Sequence, residues 1–248
     1  MSSRRIYRQE GSGPRLTSFT VVVKESDLWI AVSSSAYKES LPGHTENFLW
    51  RTRRSLESYL GFYPDIAESL EPYLLKEDAP WILHRMTEAA NRAGVGPMAA
   101  VAGAVAESVG TMLLEFSPEV IVENGGDIFL KADAPVTVGI YAGQSPLSGK
   151  LGLKINPSRT PLGICTSSGK VGPSLSFGRA DAAVIAAASA PLADAAATAV
   201  GNMVTSPADF NRAVGFIRSI TGVSGLLLIC GDKMTAWGDM ELQLLEQA

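Results

Sequence analysis

The chain is poor in the residues that most often build metal and nucleophile sites. Its 248 residues include two cysteines and two histidines. His44 and His84 have no cysteine or acid at metal-ligand spacing, which argues against a zinc site. The cysteines, Cys165 and Cys230, are far apart in apolar, strand-like surroundings. Buried free thiols in a reducing compartment fit them, and they allow one disulfide at most. There is no G-x-S-x-G elbow, no phosphate-binding P-loop and no G-x-G-x-x-G after a strand. The first 20 residues hold Arg4, Arg5, Arg8 and Arg15 but no apolar stretch of signal-peptide length. Uncharged runs such as residues 195–208 fall short of the about 18 residues that cross a bilayer. The expected location is cytoplasmic, without a membrane.

The rest of the composition is that of an ordinary globular protein, 46% hydrophobic and 19% charged. A chain of this length buries a core without a disulfide or metal staple. The net charge of −4 and pI near 5.3 argue against nucleic acid as a partner. The basic group Arg51, Arg53 and Arg54 reads as a solvated helix face.

β-Branched runs at 18–24 and 28–32, joined by Glu25-Ser26-Asp27, predict an opening hairpin. Helical spacing predicts helices over 45–61, ended by Gly61, and over 65–75 and 81–93, each preceded by a proline. Residues 95–114 are rich in small side chains and meet their first acid only at Glu107. A helix so lightly charged is expected to be buried around most of its circumference against a sheet. Strands are expected at 136–141, 150–155, 163–166, 182–188, 225–230 and 234–237. Helices are expected at 191–204, capped by Ser189, and at 209–220. No linker or short-period repeat divides the sequence. The fold class is therefore α+β, one domain over 1–248 with a mostly antiparallel sheet packed with helices.

Three segments could carry chemistry. Residues 119–130 run strand, turn, strand around Asn124, Gly125, Gly126 and Asp127. Adjacent glycines supply the positive φ of a tight turn and present bare backbone N–H groups beside an amide and an acid. That suits a polar or phosphate-bearing ligand, and an ordinary turn is the competing reading. In residues 192–199, Asp194 is the sole charge between Asp181 and Asp209. Asp194 and Thr198 are four apart and share a helix face, an oxygen-only half-site of the kind Mg²⁺ takes. The alternative is an acid placed favourably in a first helical turn. Cys165, Thr166, Ser167, Ser168 and Gly169 form a strand end running into a hydroxyl-rich turn, open to phosphate recognition or to a purely structural role. The segment from Ser174 to Asp181 could line a pocket or begin a strand.

In this order the segments resemble the ApbE superfamily of flavin transferases, over roughly residues 90–205. The blocks are Val-Gly-Pro-Met-Ala-Ala-Val-Ala-Gly at 95–103, Glu-Asn-Gly-Gly-Asp-Ile-Phe-Leu at 123–130, Cys-Thr-Ser-Ser-Gly at 165–169 and Ala-Asp-Ala-Ala-Ala-Thr-Ala at 193–199. They look closest to a shorter cytoplasmic branch without an established role. The resemblance implies an α+β fold that binds FAD and Mg²⁺ and moves FMN onto a threonine of an acceptor protein. It places Asn124, Gly125, Gly126 and Asp127, with the 166–169 turn, in a flavin-nucleotide pocket, and Asp194 and Thr198 on the metal. The transferases usually carry a lysine before the glycine of the small-residue helix, where this chain has Ala102. They also carry a histidine after the Thr-Ser-Gly turn, where this chain reads Gly172-Pro173-Ser174. The expectation is a flavin-type nucleotide bound with Mg²⁺, its chemistry being FMN transfer from FAD or cleavage of the pyrophosphate. Two other classes fit the same residues: a non-catalytic ligand-binding or interaction protein that kept the fold, and an enzyme acting on another small metabolite. A homo-oligomer is compatible with all three.

Overall fold

A computed structural model describes residues 15–168 and 178–245. Eight strands form one sheet. They are β1 (Leu16–Val23), β2 (Ser26–Ser33), β3 (Val120–Asn124), β4 (Asp127–Lys131), β7 (Leu162–Ser167), β8 (Ala182–Ala187), β9 (Val223–Cys230) and β10 (Lys233–Gly238). They lie in the order β1-β2-β3-β4-β7-β8-β9-β10 and every neighbouring pair is antiparallel. A second sheet joins β5 (Val136–Ile140), β6 (Leu151–Ile155) and β11 (Glu241–Leu244) in the order β11-β6-β5. The α+β class and the mostly antiparallel sheet are as the sequence implies.

The central strands of the large sheet are buried on both faces and divide their side chains between two cores with period two. Along β9, Leu226 and Leu228 enter one core, whereas Leu227 and Ile229 enter the other. In β3, Val120 and Val122 face the first and Ile121 the second. The helices α1 (Leu41–Phe62), α2 (Pro64–Glu68), α3 (Trp81–Ala93), α4 (Val101–Leu113), α5 (Ala190–Met203) and α6 (Phe210–Arg218) supply the first core. The small sheet supplies the second through Ile140, Leu151, Leu153 and Ile155. Fully covered strands read as continuous apolar runs, which is why β8 is Ala-Ala-Val-Ile-Ala-Ala with every residue buried. No single helix among the described residues is long and apolar enough to cross a membrane.

Several boundaries differ from the sequence reading. The first hairpin pairs Val23 with Ser26, so its turn is Lys24-Glu25, with Lys24 at φ 53°. Gly61 does not end α1. The helix runs to Phe62 and stops at Tyr63, the residue before Pro64, where the proline ring disfavours helical backbone. The helix expected over 65–75 is the five-residue α2, since Pro72 has no N–H to continue it. Asn91 of α3 holds the segment beyond it, donating from Nδ2 to the Tyr73 carbonyl and accepting from the Tyr73 amide, both at 2.8 Å. Residues 97–100 form a 3₁₀ turn before α4, so the stretch expected as one helix is two pieces. The four-residue β11 lay outside the sequence expectations.

Candidate functional site

Gly125 and Gly126, at φ 72° and 112°, form the two-residue turn between β3 and β4, with Asn124 opposite Asp127. Positive φ at both central positions is the geometry that asks for glycine. One expectation needs correcting, because the turn is not a set of bare amides. The Gly126 N–H donates to Glu123 Oε1 at 2.8 Å. Glu123 is a carboxylate 4% exposed at the strand end, and it is satisfied partly by that amide. Gly125 is the exposed residue of the turn.

From this turn Asn124 reaches across to a helix, its Nδ2 donating to the Ala102 carbonyl at 3.1 Å. The next amide along, that of Gly103, donates to Asp194 Oδ2 of α5 at 2.9 Å. Asp194 also lies within reach of the Ala102 amide. The first, second and fourth sequence blocks are thus tied together by hydrogen bonds. The third joins through the sheet register, since Asp127 pairs with Cys165 and the Thr166 amide bonds its carboxylate. Thr166 and Ser167 end β7, and they and Ser168 are partly exposed. Gly169, with Gly172, Pro173 and Ser174, lies outside the described residues.

Asp194 and Thr198 project one turn apart from α5, both half-buried between buried alanines. Among the described residues the Thr198 hydroxyl makes no hydrogen bond. Close packing brings this face to the turn. A Cβ on Gly103 would stand 2.4 Å from the Ala190 carbonyl oxygen, and one on Gly163 would stand 2.3 Å from Ala190 Cα. Glycine at both positions lets α5 lie directly on α4 and β7.

Burial dominates the electrostatics of the acids gathered here. Burial pushes Asp127 up to about 7; the charge of Glu123 adds to this, and the Cys165 thiol and Thr166 amide oppose it. Burial first, and then the charge of Asp127, push Asp194 well above the usual carboxylate range against the two α4 amides. The thiol of Cys165, fully buried between them, is pushed up by burial and by both acids, and its Sγ donates to the Ala190 carbonyl at 3.4 Å. It packs as a fully buried filler between the two acids. Neither cysteine forms a disulfide, and Cys230 is half-buried.

Other expected features serve the scaffold. Asp181 is buried and accepts from the Gly231 amide at 2.7 Å, anchoring the turn between β9 and β10. Ser189 occupies the N-cap position of α5 without a side-chain hydrogen bond. That helix start is served instead by Glu107 Oε2 of α4, which accepts from the Ala190 amide at 2.7 Å. His44 packs edge-on against Phe116, and His84 points to the Glu77 carbonyl. Among the described residues no three His, Cys, Asp or Glu side chains form a metal cluster. Two cavities, of about 350 and 250 Å³, lie away from the turn, the first between α1, α3 and α4 and the second beside Arg85 and Arg92.

The family described as "AbpE bacteria" matches residues 7–216. The chain belongs to that ApbE-like family. A UPF0280 protein of Methanocella arvoryzae is 48% identical over 191 residues, which are 77% of this chain and 78% of that protein. A UPF0280 protein of Methanosarcina acetivorans is 46% identical over 188 residues, 75% and 74% of the two chains. The fold is that of the flavinyl transferase ApbE of Pseudomonas stutzeri, with a TM-score of 0.60, 14% identity, and 90% and 94% of the two chains covered. The ApbE protein of Thermotoga maritima aligns with a TM-score of 0.55 and 12% identity over 89% and 96%. The ApbE-like blocks read from the sequence are the segments that the fold gathers around the Gly125-Gly126 turn.

Proposed function

We propose that this ApbE-like chain binds a flavin-type nucleotide together with Mg²⁺ at the junction of the β3–β4 turn, the β7 end and α5. The observation that carries this reading is the approach of Asp127 and Asp194, from distant parts of the sequence, with Thr198 one helical turn beyond Asp194 and Gly125 exposed in the turn. The donor set suits the ion: carboxylate and hydroxyl oxygens, too few to form a complete protein cage. Mg²⁺ keeps waters and accepts phosphate oxygens in the remaining places. Two neighbouring acids whose burial resists ionisation are a site in which a cation replaces protons.

In this reading Asp194 and Thr198 hold the ion. Gly125 lets the ligand approach the backbone closely, and Thr166, Ser167 and Ser168 offer hydroxyls to its polar edge. When bound, the ion would neutralise pyrophosphate charge and stabilise a leaving phosphate. FMN transfer to an acceptor protein, or pyrophosphate cleavage, is the chemistry such a site would serve. Ala102, which has no amine to offer a phosphate, favours a second reading, binding without transfer.

The test is a fluorescence titration of FAD against the purified protein with and without Mg²⁺, for wild type and Asp194→Ala. Mg²⁺-dependent binding lost in the variant is expected. Indistinguishable wild type and variant would refute the site. Release of AMP from FAD would decide against the non-catalytic reading.

A further inference from the structure

Helices α4 and α5 each contain one charged residue, Glu107 in the first and Asp194 in the second. Neither helix has a side-chain cap at its own N-terminus, where Ala100 and Ser189 stand. Each carboxylate serves the other helix. Asp194 Oδ2 accepts from the third amide of α4, at Gly103, and Glu107 Oε2 accepts from the first amide of α5, at Ala190. The separations are 2.9 and 2.7 Å. The exchange is possible because Gly103 carries no side chain against the Ala190 carbonyl. Orphan amides at a helix start need an acceptor, and a carboxylate there also meets the positive end of the helix dipole.

The two halves differ in charge balance. Arg85 of α3 donates from Nη2 to Glu107 Oε1 at 3.0 Å, and the Glu107 side chain is 14% exposed. Glu107 is thus neutralised and satisfied on both oxygens. Asp194 faces Asp127 and Cys165 instead.

We infer that Glu107, held by Arg85, is a positioning residue for Asp194: the Glu107–Ala190 bond fixes α5 against α4 and so sets where the Asp194 carboxylate is presented. This rests on the proposed cation site for its function, but the clasp itself is a property of the two helices. Groups that orient a metal ligand from behind it typically change metal affinity by about 10- to 100-fold when removed.

The experiment uses the full chain as wild type, Glu107→Ala, Glu107→Gln and Arg85→Ala. Mg²⁺ alone is titrated by calorimetry, and amide hydrogen exchange is followed at Gly103 and Ala190. For Glu107→Ala, the Mg²⁺ dissociation constant should rise about tenfold, and protection should fall at Gly103 as well as at Ala190. Glu107→Gln, which keeps an acceptor oxygen, should recover part of both, and Arg85→Ala should show the same changes more weakly. If Glu107→Ala does not fold, Glu107→Gln and Arg85→Ala carry the test with the same two readouts. Loss of protection at Ala190 alone, with Mg²⁺ affinity unchanged, would make Glu107 a local cap and overturn the inference. If wild type binds no Mg²⁺, the cation site fails and the positioning role fails with it. The Gly103 exchange then still reports whether the clasp exists.

Discussion

Gly103→Ala and Gly61→Ala are the same chemical change with opposite expected results. Each adds one methyl group to a helix, Gly61 in the last turn of α1 and Gly103 in the first turn of α4, and alanine is favoured over glycine by at most roughly 0.5–1 kcal/mol, the helix-interior value. At Gly61 nothing lies within 4 Å of the added carbon, so Gly61→Ala should stabilise, by up to about that amount. At Gly103 the carbon would meet the Ala190 carbonyl oxygen at 2.4 Å, its carbon at 2.7 Å and Asp194 Cβ at 2.9 Å. Two of the three are backbone atoms, which cannot turn aside as a side-chain tip can. Overpacking of this kind costs about 1–3 kcal/mol, and rigid backbone argues for the upper end. Less the propensity gain, Gly103→Ala should destabilise by about 2 kcal/mol, a fall in Tm of roughly 4–8 °C for a chain of this size. Urea unfolding of both variants beside wild type measures the two signs in one series. If Gly103→Ala is as stable as wild type while Gly61→Ala behaves as expected, α4 and α5 do not approach at this point, and the gathering of the four blocks loses its basis.

Three further outcomes follow from the acids and thiols. Asp127 is raised to about 7 in the folded chain, against about 3.9 for an unperturbed Asp. Its contribution to stability is therefore fully present below pH about 4 and lost as pH rises through about 7; the difference in Tm between wild type and Asp127→Asn across pH 4–9 should follow that curve, and a flat difference would contradict it. Because a cation needs the ionised acids, stabilisation by Mg²⁺ should be larger at pH 8 than at pH 5.5, read by thermal shift with and without the ion; equal shifts would place the ion elsewhere. A maleimide at pH 8 should label Cys230 in the folded protein and Cys165 only after denaturation, as mass spectrometry of the modified peptides would show; prompt labelling of Cys165 would contradict its burial.

How much of this could be read from the chain depended on the range of each interaction. The Gly125-Gly126 turn was legible because positive φ at adjacent residues is a local demand with a local residue signature. Helix α3 was equally plain, with Pro80 before it and Gly94, in the left-handed region, after it. The pairing of Asp194 with Thr198 followed from helical geometry alone. Glu107 and Glu123 were not singled out, since nothing near them in sequence signals their roles. Glu107 finds its partner 83 residues away, and Glu123 caps a turn whose glycines seemed sufficient by themselves. The Gly126 amide, expected to be bare, is taken up by Glu123 for the same reason. The expectation for 65–75 followed apolar spacing and passed over Pro72, and the segment's real anchor is Asn91, 18 residues beyond Tyr73.

The central claim is that Asp194 and the Gly125-Gly126 turn belong to one Mg²⁺-dependent nucleotide site. It is tested most directly by the affinity of the purified chain for FAD, with Mg²⁺ and with the ion removed by chelation, in wild type and Asp194→Ala. The account predicts binding to wild type that weakens at least tenfold on chelation, and binding to Asp194→Ala that is weak in either condition. FAD binding to both proteins that ignores Mg²⁺, or no binding to wild type at all, would contradict it.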